Sequence, residues 1–288
     1  MRTGTKTSEA VDASEAAAAG RPRVLILRAA GINCDLETEK GFRMAGAATA
    51  YVHVNALREE PRRLREFDVL AIPGGFSYGD DVAAGTILAS ELRFTLAPEI
   101  ERFVSEGKLV LGICNGFQVL VKAGLLPGGI GKENGHDERR RRDRVTISMN
   151  DSGRFEDRWV TLRAPRGAKS VFLAEGEAIR VPVGNGEGKV VFSSAAVLAE
   201  LEEKGQVALR YEGPDGKPAP FPFNPNGSQG DVAGLSDPTG RVMGLMPHPD
   251  RHLHRWNGPR WTREGLPAEG DGVRFFRNAV AAAARRPR

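Results

Sequence analysis

The chain has 288 residues, 40% of them hydrophobic, a formal charge of +4 and two cysteines. That length buries a core unaided, as one large α/β domain or two small ones, and two cysteines exclude a disulfide framework and suit a reducing, cytoplasmic compartment. No run of 18 uncharged apolar residues offers a membrane span, and the basic excess, gathered in residues 139–144 and at Arg285, Arg286 and Arg288, is interleaved with acids in the manner of a solvated loop, so neither a membrane nor nucleic acid is an expected partner.

Residues 1–20 mix small, polar and charged side chains without the apolar centre of a secretory signal, and read as a disordered tail. Arg23–Arg28, RVLILR, is a short apolar run of the kind that forms a buried parallel strand. DLETEKGFRMAGA follows as a helix, with Asp35 as N-cap and Gly46 near its end. Two more strand candidates, TAYVHV and FDVLAIPGG, flank a polar, Arg-rich segment; then APEIERFVSEG reads as a helix, KLVLGIC as a strand and NGFQVLVKAGLL as a helix. This alternation predicts a doubly wound, mostly parallel sheet with helices on both faces. From about residue 128 to 240 the texture becomes rich in Gly and Pro, with β-like runs DRVTISM, RWVTLRA, KVVFSS and QVALRY, and predicts an antiparallel, β-rich insertion in a single domain spanning residues 21–288. RVMGLMPHPD is a final strand, and a helix from about residue 272 to 284 closes the chain.

In such sheets the binding crevice lies beyond the carboxyl ends of the strands, so chemistry is sought in GINCD, PGGFSYGDD, CNG and MPHPD. Cys114 stands on a strand-to-helix turn between Gly112 and Gly116, the form of a nucleophile elbow, and the following Asn115 N–H points into the same space as an oxyanion donor. The elbow alone leaves a buried structural cysteine equally open. Cys34 lacks the flanking glycine pair and reads as a packed loop residue. Prolines on both sides of His248 hold the backbone extended, so His248 and Asp250, two residues apart, point the same way and suit a base and its orienting acid. Gly74 and Gly75, after the strand DVLAI, can turn a second oxyanion N–H into the crevice. The histidines show no metal-ligand spacing, and no phosphate-binding G-x-x-x-x-G-K-[ST] loop occurs, so no metal and no cofactor are expected in this chain.

With these residues in place the chain resembles the class I glutamine amidotransferases, and among them the glutaminase subunits that feed a synthetase of de novo purine synthesis. The resemblance rests on GINCDLETEKGFRMAGA, PGGFSYGDDVAAGTILA, GICNGFQVLVKAGLLPG, SGRFEDRWVTL, NPNGS and GLMPHPDR, and extends from about Arg23 to Arg251. It implies a flavodoxin-like three-layer α/β/α sandwich with an added antiparallel section. It further implies a triad of Cys114, His248 and Asp250, an oxyanion hole at Gly75 and Asn115, and glutamine contacts at Gly74, Phe76 and Gln118. The implied partners are a synthetase subunit holding ATP and Mg2+, which converts formylglycinamide ribonucleotide to its amidine, and a small bridging subunit. Three departures stand out: Asp250 replaces the family's glutamate, Asn185 replaces the histidine of its HGEG run, and residues 128–151 are longer than in the small form. A stand-alone cysteine hydrolase of the same fold, or a redox-sensing flavodoxin-like module that oxidises Cys114 reversibly, accounts for the cysteine but not for MPHPD and NPNGS together.

Overall fold

The computed structural model describes residues 20–128, 144–216, 218–265 and 267–286; the expected tail up to residue 19 and the arginine-rich segment 129–143 lie outside the described residues. The chain begins β1 (Arg23–Arg28), α1 (Asp35–Met44), β2 (Ala48–His53), α2 (Val54–Glu59) and β3 (Val69–Ile72). Helix α3 (Thr86–Glu91) runs through a π-turn at Leu92–Leu96 into α4 (Ala97–Ser105), and β4 (Leu109–Ile113) leads into α5 (Asn115–Lys122). β5 (Val145–Met149), β6 (Glu156–Arg163), β7 (Ala178–Asn185), β8 (Glu187–Phe192), α6 (Ala195–Glu203), β9 (Val207–Glu212) and β10 (Val232–Ser236) make up the expected insertion. β11 (Val242–Leu245) and α7 (Gly272–Ala284) close the chain.

Nine strands form one sheet in the order β2-β1-β3-β4-β11-β10-β9-β6-β7. The first five run parallel, as expected of strands joined by helical crossovers. The four that follow β11 in this order pair antiparallel, so the β-rich insertion extends the parallel sheet edge to edge. β3, β4 and β11 are buried at every position, which is the signature of central strands covered on both faces. Helices α1 and α7 pack together, Phe42 meeting Phe276 edge-on at 5.0 Å, and Gly41 lets the second ring approach, since a Cβ there would lie 2.5 Å from it. Helices α3 and α5 pack on one another, and a separate two-stranded sheet of β5 and β8 lies against α5.

Some elements depart from the sequence reading. Cys34 is the residue preceding α1, and Asp35 is its first helical residue, where the carboxylate pairs with Arg28 at 2.9 Å. Helix α3 and strands β7 and β10 were not expected. β7 alternates buried and half-buried positions but carries Pro182 and Gly184, which read as loop residues, and α3 starts directly after a left-handed Gly85 with too few residues for a clear period.

Candidate active site

β4 and β11 lie side by side in parallel register, Gly112 opposite Gly244 and Ile113 opposite Leu245, so the residues beyond their ends emerge together. The Cys114 N–H donates to the Leu245 carbonyl at 2.8 Å, and the cysteine takes φ +53°, ψ −108°, a conformation costly for any side chain and held here by its surroundings. The two expected glycines supply clearance. A Cβ at Gly116 would stand 1.9 Å from the Ile72 carbonyl oxygen, and one at Gly112 would stand 2.5 Å from the Gly116 oxygen. Helix α5 can therefore begin directly at the sulfur, and Asn115, its first residue, has an N–H with no intrahelical acceptor.

His248 and Asp250 are almost fully buried, and His248 Nδ1 lies 3.1 Å from Asp250 Oδ1. The His248 N–H is tied to the Pro182 carbonyl of β7 at 2.8 Å, which fixes the backbone behind the ring. Nε2 is buried without a nitrogen or oxygen partner among the described residues, and the Cys114 sulfur is the group beside it. Burial disfavours the imidazolium, but the Asp250 carboxylate and the Cys114 sulfur outweigh it and push the pKa up to about 9. On the far side of the acid, the Thr38 hydroxyl lies between the Cys34 carbonyl at 2.8 Å and Asp250 Oδ2 at 3.2 Å. Such a contact orients a carboxylate one methylene shorter than glutamate.

The loop after β3 faces this group. It is held by the loop after β1: Asn33 and Cys34 N–H donate to the Gly74 carbonyl, and Phe76 N–H donates to that of Gly31. Gly75, at φ +145°, has its N–H left out of this ladder, and a Cβ there would clash with Gly31 and Asn33. Gly74 is a spacer, since a Cβ there would fall 2.8 Å from His248 Cε1 and 3.3 Å from both Cys114 Cβ and Cys34 Sγ.

A cavity of about 220 Å³ opens over the sulfur, lined by Gly75, Phe76, Asp80, Cys114, Gln118, Met149, Phe155 and the wall from Gly184 to Glu187. The Gln118 amide is spoken for on both ends, accepting from Asn115 Nδ2 at 2.9 Å and donating to the Glu187 carbonyl at 2.6 Å. Asp80, in a run with Tyr78 and Asp80 at φ +55°, accepts from Gly85 N–H and Asn115 Nδ2; burial raises its pKa. The wall is braced from behind by the NPNGS run. Asn226 Nδ2 donates to Asn185 Oδ1 at 2.7 Å and to Asn150 Oδ1 at 2.8 Å, its Oδ1 accepts from the Tyr211 hydroxyl at 2.6 Å, and Ser228 Oγ accepts from Val190 N–H at 3.1 Å.

Cys114, His248, Asp250, Gly75, Asn115, Phe76 and Gln118 therefore converge, while Gly74 lies beneath the cavity. Thr38, Asp80 and the Asn185 wall were not legible beforehand, because they reach the site through tertiary contacts rather than motif spacing.

A family model described as a CobB/CobQ-like glutamine amidotransferase domain matches residues 21–281. The chain belongs to the glutamine amidotransferases. This amidotransferase is 44% identical to a Dehalococcoides mccartyi protein over 90% of the chain and 96% of the relative, and 40% identical to a Treponema denticola protein over 81% and 89%. Both relatives bear the name phosphoribosylformylglycinamidine synthase subunit PurQ. Among solved structures, that of PurLQS from Thermotoga maritima matches with a TM-score of 0.65 at 28% identity, covering 91% of this amidotransferase and 98% of that chain. A Thermoplasma acidophilum protein solved as part of a GMP synthase, at 13% identity and TM-score 0.51 over 92% and 94%, shares the fold.

Proposed function

We propose that this amidotransferase hydrolyses L-glutamine as the glutaminase subunit of a phosphoribosylformylglycinamidine synthase. The observation that carries the reading is the line from Asp250 through His248 to the Cys114 sulfur, opening on a cavity with two outward N–H groups. The Cys114 thiolate adds to the side-chain amide carbon, and the Gly75 and Asn115 N–H groups hold the oxyanion. The His248 imidazolium gives its Nε2 proton to the departing nitrogen, which leaves as ammonia, and the carbon–sulfur bond persists as a thioester. Water then adds while His248 takes its proton; the thioester breaks, glutamate leaves and the thiolate is restored. Asp250, steadied by Thr38, holds the imidazole tautomer throughout. Phe76 lines the glutamine cavity, Gln118 sets the wall by its bond to Glu187, and Gly74 provides clearance.

The names of the relatives and the PurLQS assembly support two partners, a synthetase subunit with a small bridging subunit. The synthetase binds ATP and Mg2+ and uses the ammonia to convert formylglycinamide ribonucleotide to its amidine. No described helix is long and apolar enough to cross a membrane, and the cytoplasm is the proposed compartment. The test is glutamate release by the complex and by Cys114→Ala. The variant is expected to lose all glutamine-dependent turnover and keep turnover with added ammonium; loss of both, with the complex assembled, overturns the division of labour.

A further inference from the structure

Arg251 is exposed as a residue, yet its guanidinium turns back toward the triad. One terminal nitrogen donates to Cys34 Sγ at 3.0 Å, and the other lies 3.5 Å from where a Cβ on Gly184 would sit; the Gly184 carbonyl is itself 3.8 Å from Cys114 Sγ. Cys34 is almost wholly buried, and it, His248 and Asp250 bring one polar atom each within 4.8 Å of one another. Burial, and then the Asp250 charge, push the Cys34 thiol up to about 12, so it stays protonated and can serve only as a neutral anchor. The reaction proposed above needs two anions, the Cys114 thiolate and the Asp250 carboxylate, against one cation, the His248 imidazolium. The remaining ionisable groups facing the cluster are Glu37 from α1 and Tyr211 from β9, and neither adds positive charge. A guanidinium is cationic at every working pH.

We infer that Arg251 is a positioning residue of the triad: anchored on the Cys34 sulfur, its guanidinium supplies the positive charge that balances the Cys114 and Asp250 anions. The second cysteine thereby acquires a role in the same reaction, as the seat of that charge. The inference rests on the proposed glutaminase reading for its catalytic consequence, but the charge balance can be read without glutamine.

The experiment follows iodoacetamide alkylation of Cys114 in the full chain against pH, with peptide mass spectrometry separating Cys114 from Cys34, and runs glutamate release by the complex in parallel. Removing a cation beside an anion raises the pH at which the thiolate forms, so Arg251→Gln should move the acid limb of alkylation upward by about one pH unit. Arg251→Lys, which keeps the charge, should recover most of the shift, and Cys34→Ala, which frees the guanidinium, should move the limb the same way by less. A folded Arg251→Gln with an alkylation profile superimposable on the parent overturns the inference. So does Arg251→Lys shifting as far as the glutamine variant, because geometry rather than charge would then be at stake, and an unshifted Cys34→Ala removes the anchor. Absence of glutamine turnover with the alkylation shifts intact would instead strike the proposed function.

Discussion

Asn226 offers a graded test of how the cavity wall is held. It is fully buried and makes three side-chain hydrogen bonds: two donated by Nδ2, to Asn150 and Asn185, and one accepted from Tyr211. At about 1 kcal/mol net for each buried bond, Asn226→Ala should cost about 3 kcal/mol. Tyr211→Phe, which removes one donor, should cost about 1 kcal/mol. Asn226→Asp keeps the shape and turns both donors into acceptors facing two carbonyl oxygens, so it should be the worst of the three, a buried charge without a partner. For a chain of this size 1 kcal/mol moves the melting temperature by about 2–4 °C, which places Asn226→Ala about 6–12 °C below the parent. Calorimetry or dye-monitored melting reads the order, and glutamate release should fall with it, since Asn185 and Gly186 line the cavity. Equal losses for Asn226→Ala and Tyr211→Phe, or an aspartate variant as stable as the parent, would refute the network reasoning.

Asp250→Asn should leave the fold intact and lower kcat for glutamine on the order of 10³-fold or more, because the amide can no longer stabilise the imidazolium; steady-state glutamate release checks it, and a loss under tenfold would count against Asp250 as the orienting acid. Gly116→Ala forces a Cβ to 1.9 Å from the Ile72 carbonyl, so α5 must leave β3 at a cost of about 1–3 kcal/mol or more. An unchanged melting temperature together with full activity would contradict that close approach. His248 holds its proton more tightly folded than unfolded, with a pKa pushed from 6.5 to about 9. Its contribution to stability is therefore complete below pH 6.5 and lost as pH rises through about 9. Urea titrations at pH 6 and above 9 should show the parent losing an advantage over His248→Gln, and a gap that widens with pH would reverse the sign.

The parallel half of the sheet could be read from the chain because its strands are short apolar runs punctuated by helices of clear period, and because both chemical segments sit at strand ends. Cys114 and His248 were legible as a pair only through the turn residues around them, Gly112, Gly116, Pro247 and Pro249. The antiparallel half was partly hidden: Pro182 and Gly184 interrupt the pattern of β7, and VAGLS in β10 is too short and uniformly apolar to assign. Thr38 beside Asp250, and Arg251 on Cys34, were invisible for a different reason. Each contact joins residues distant in sequence, and neither partner carries a local signal of the other.

The register of β4 against β11 has a consequence for how this architecture tolerates change. Nucleophile and base are separated by all of β5 to β10, yet their spacing is set by two neighbouring strands and the single bond from Cys114 N–H to Leu245. Everything between them enters and leaves the sheet without passing through that joint. The intervening chain is thus free to lengthen, shorten or acquire a new docking surface while the two reacting groups keep their alignment, much as a hinge pin keeps its axis whatever panels are hung on it.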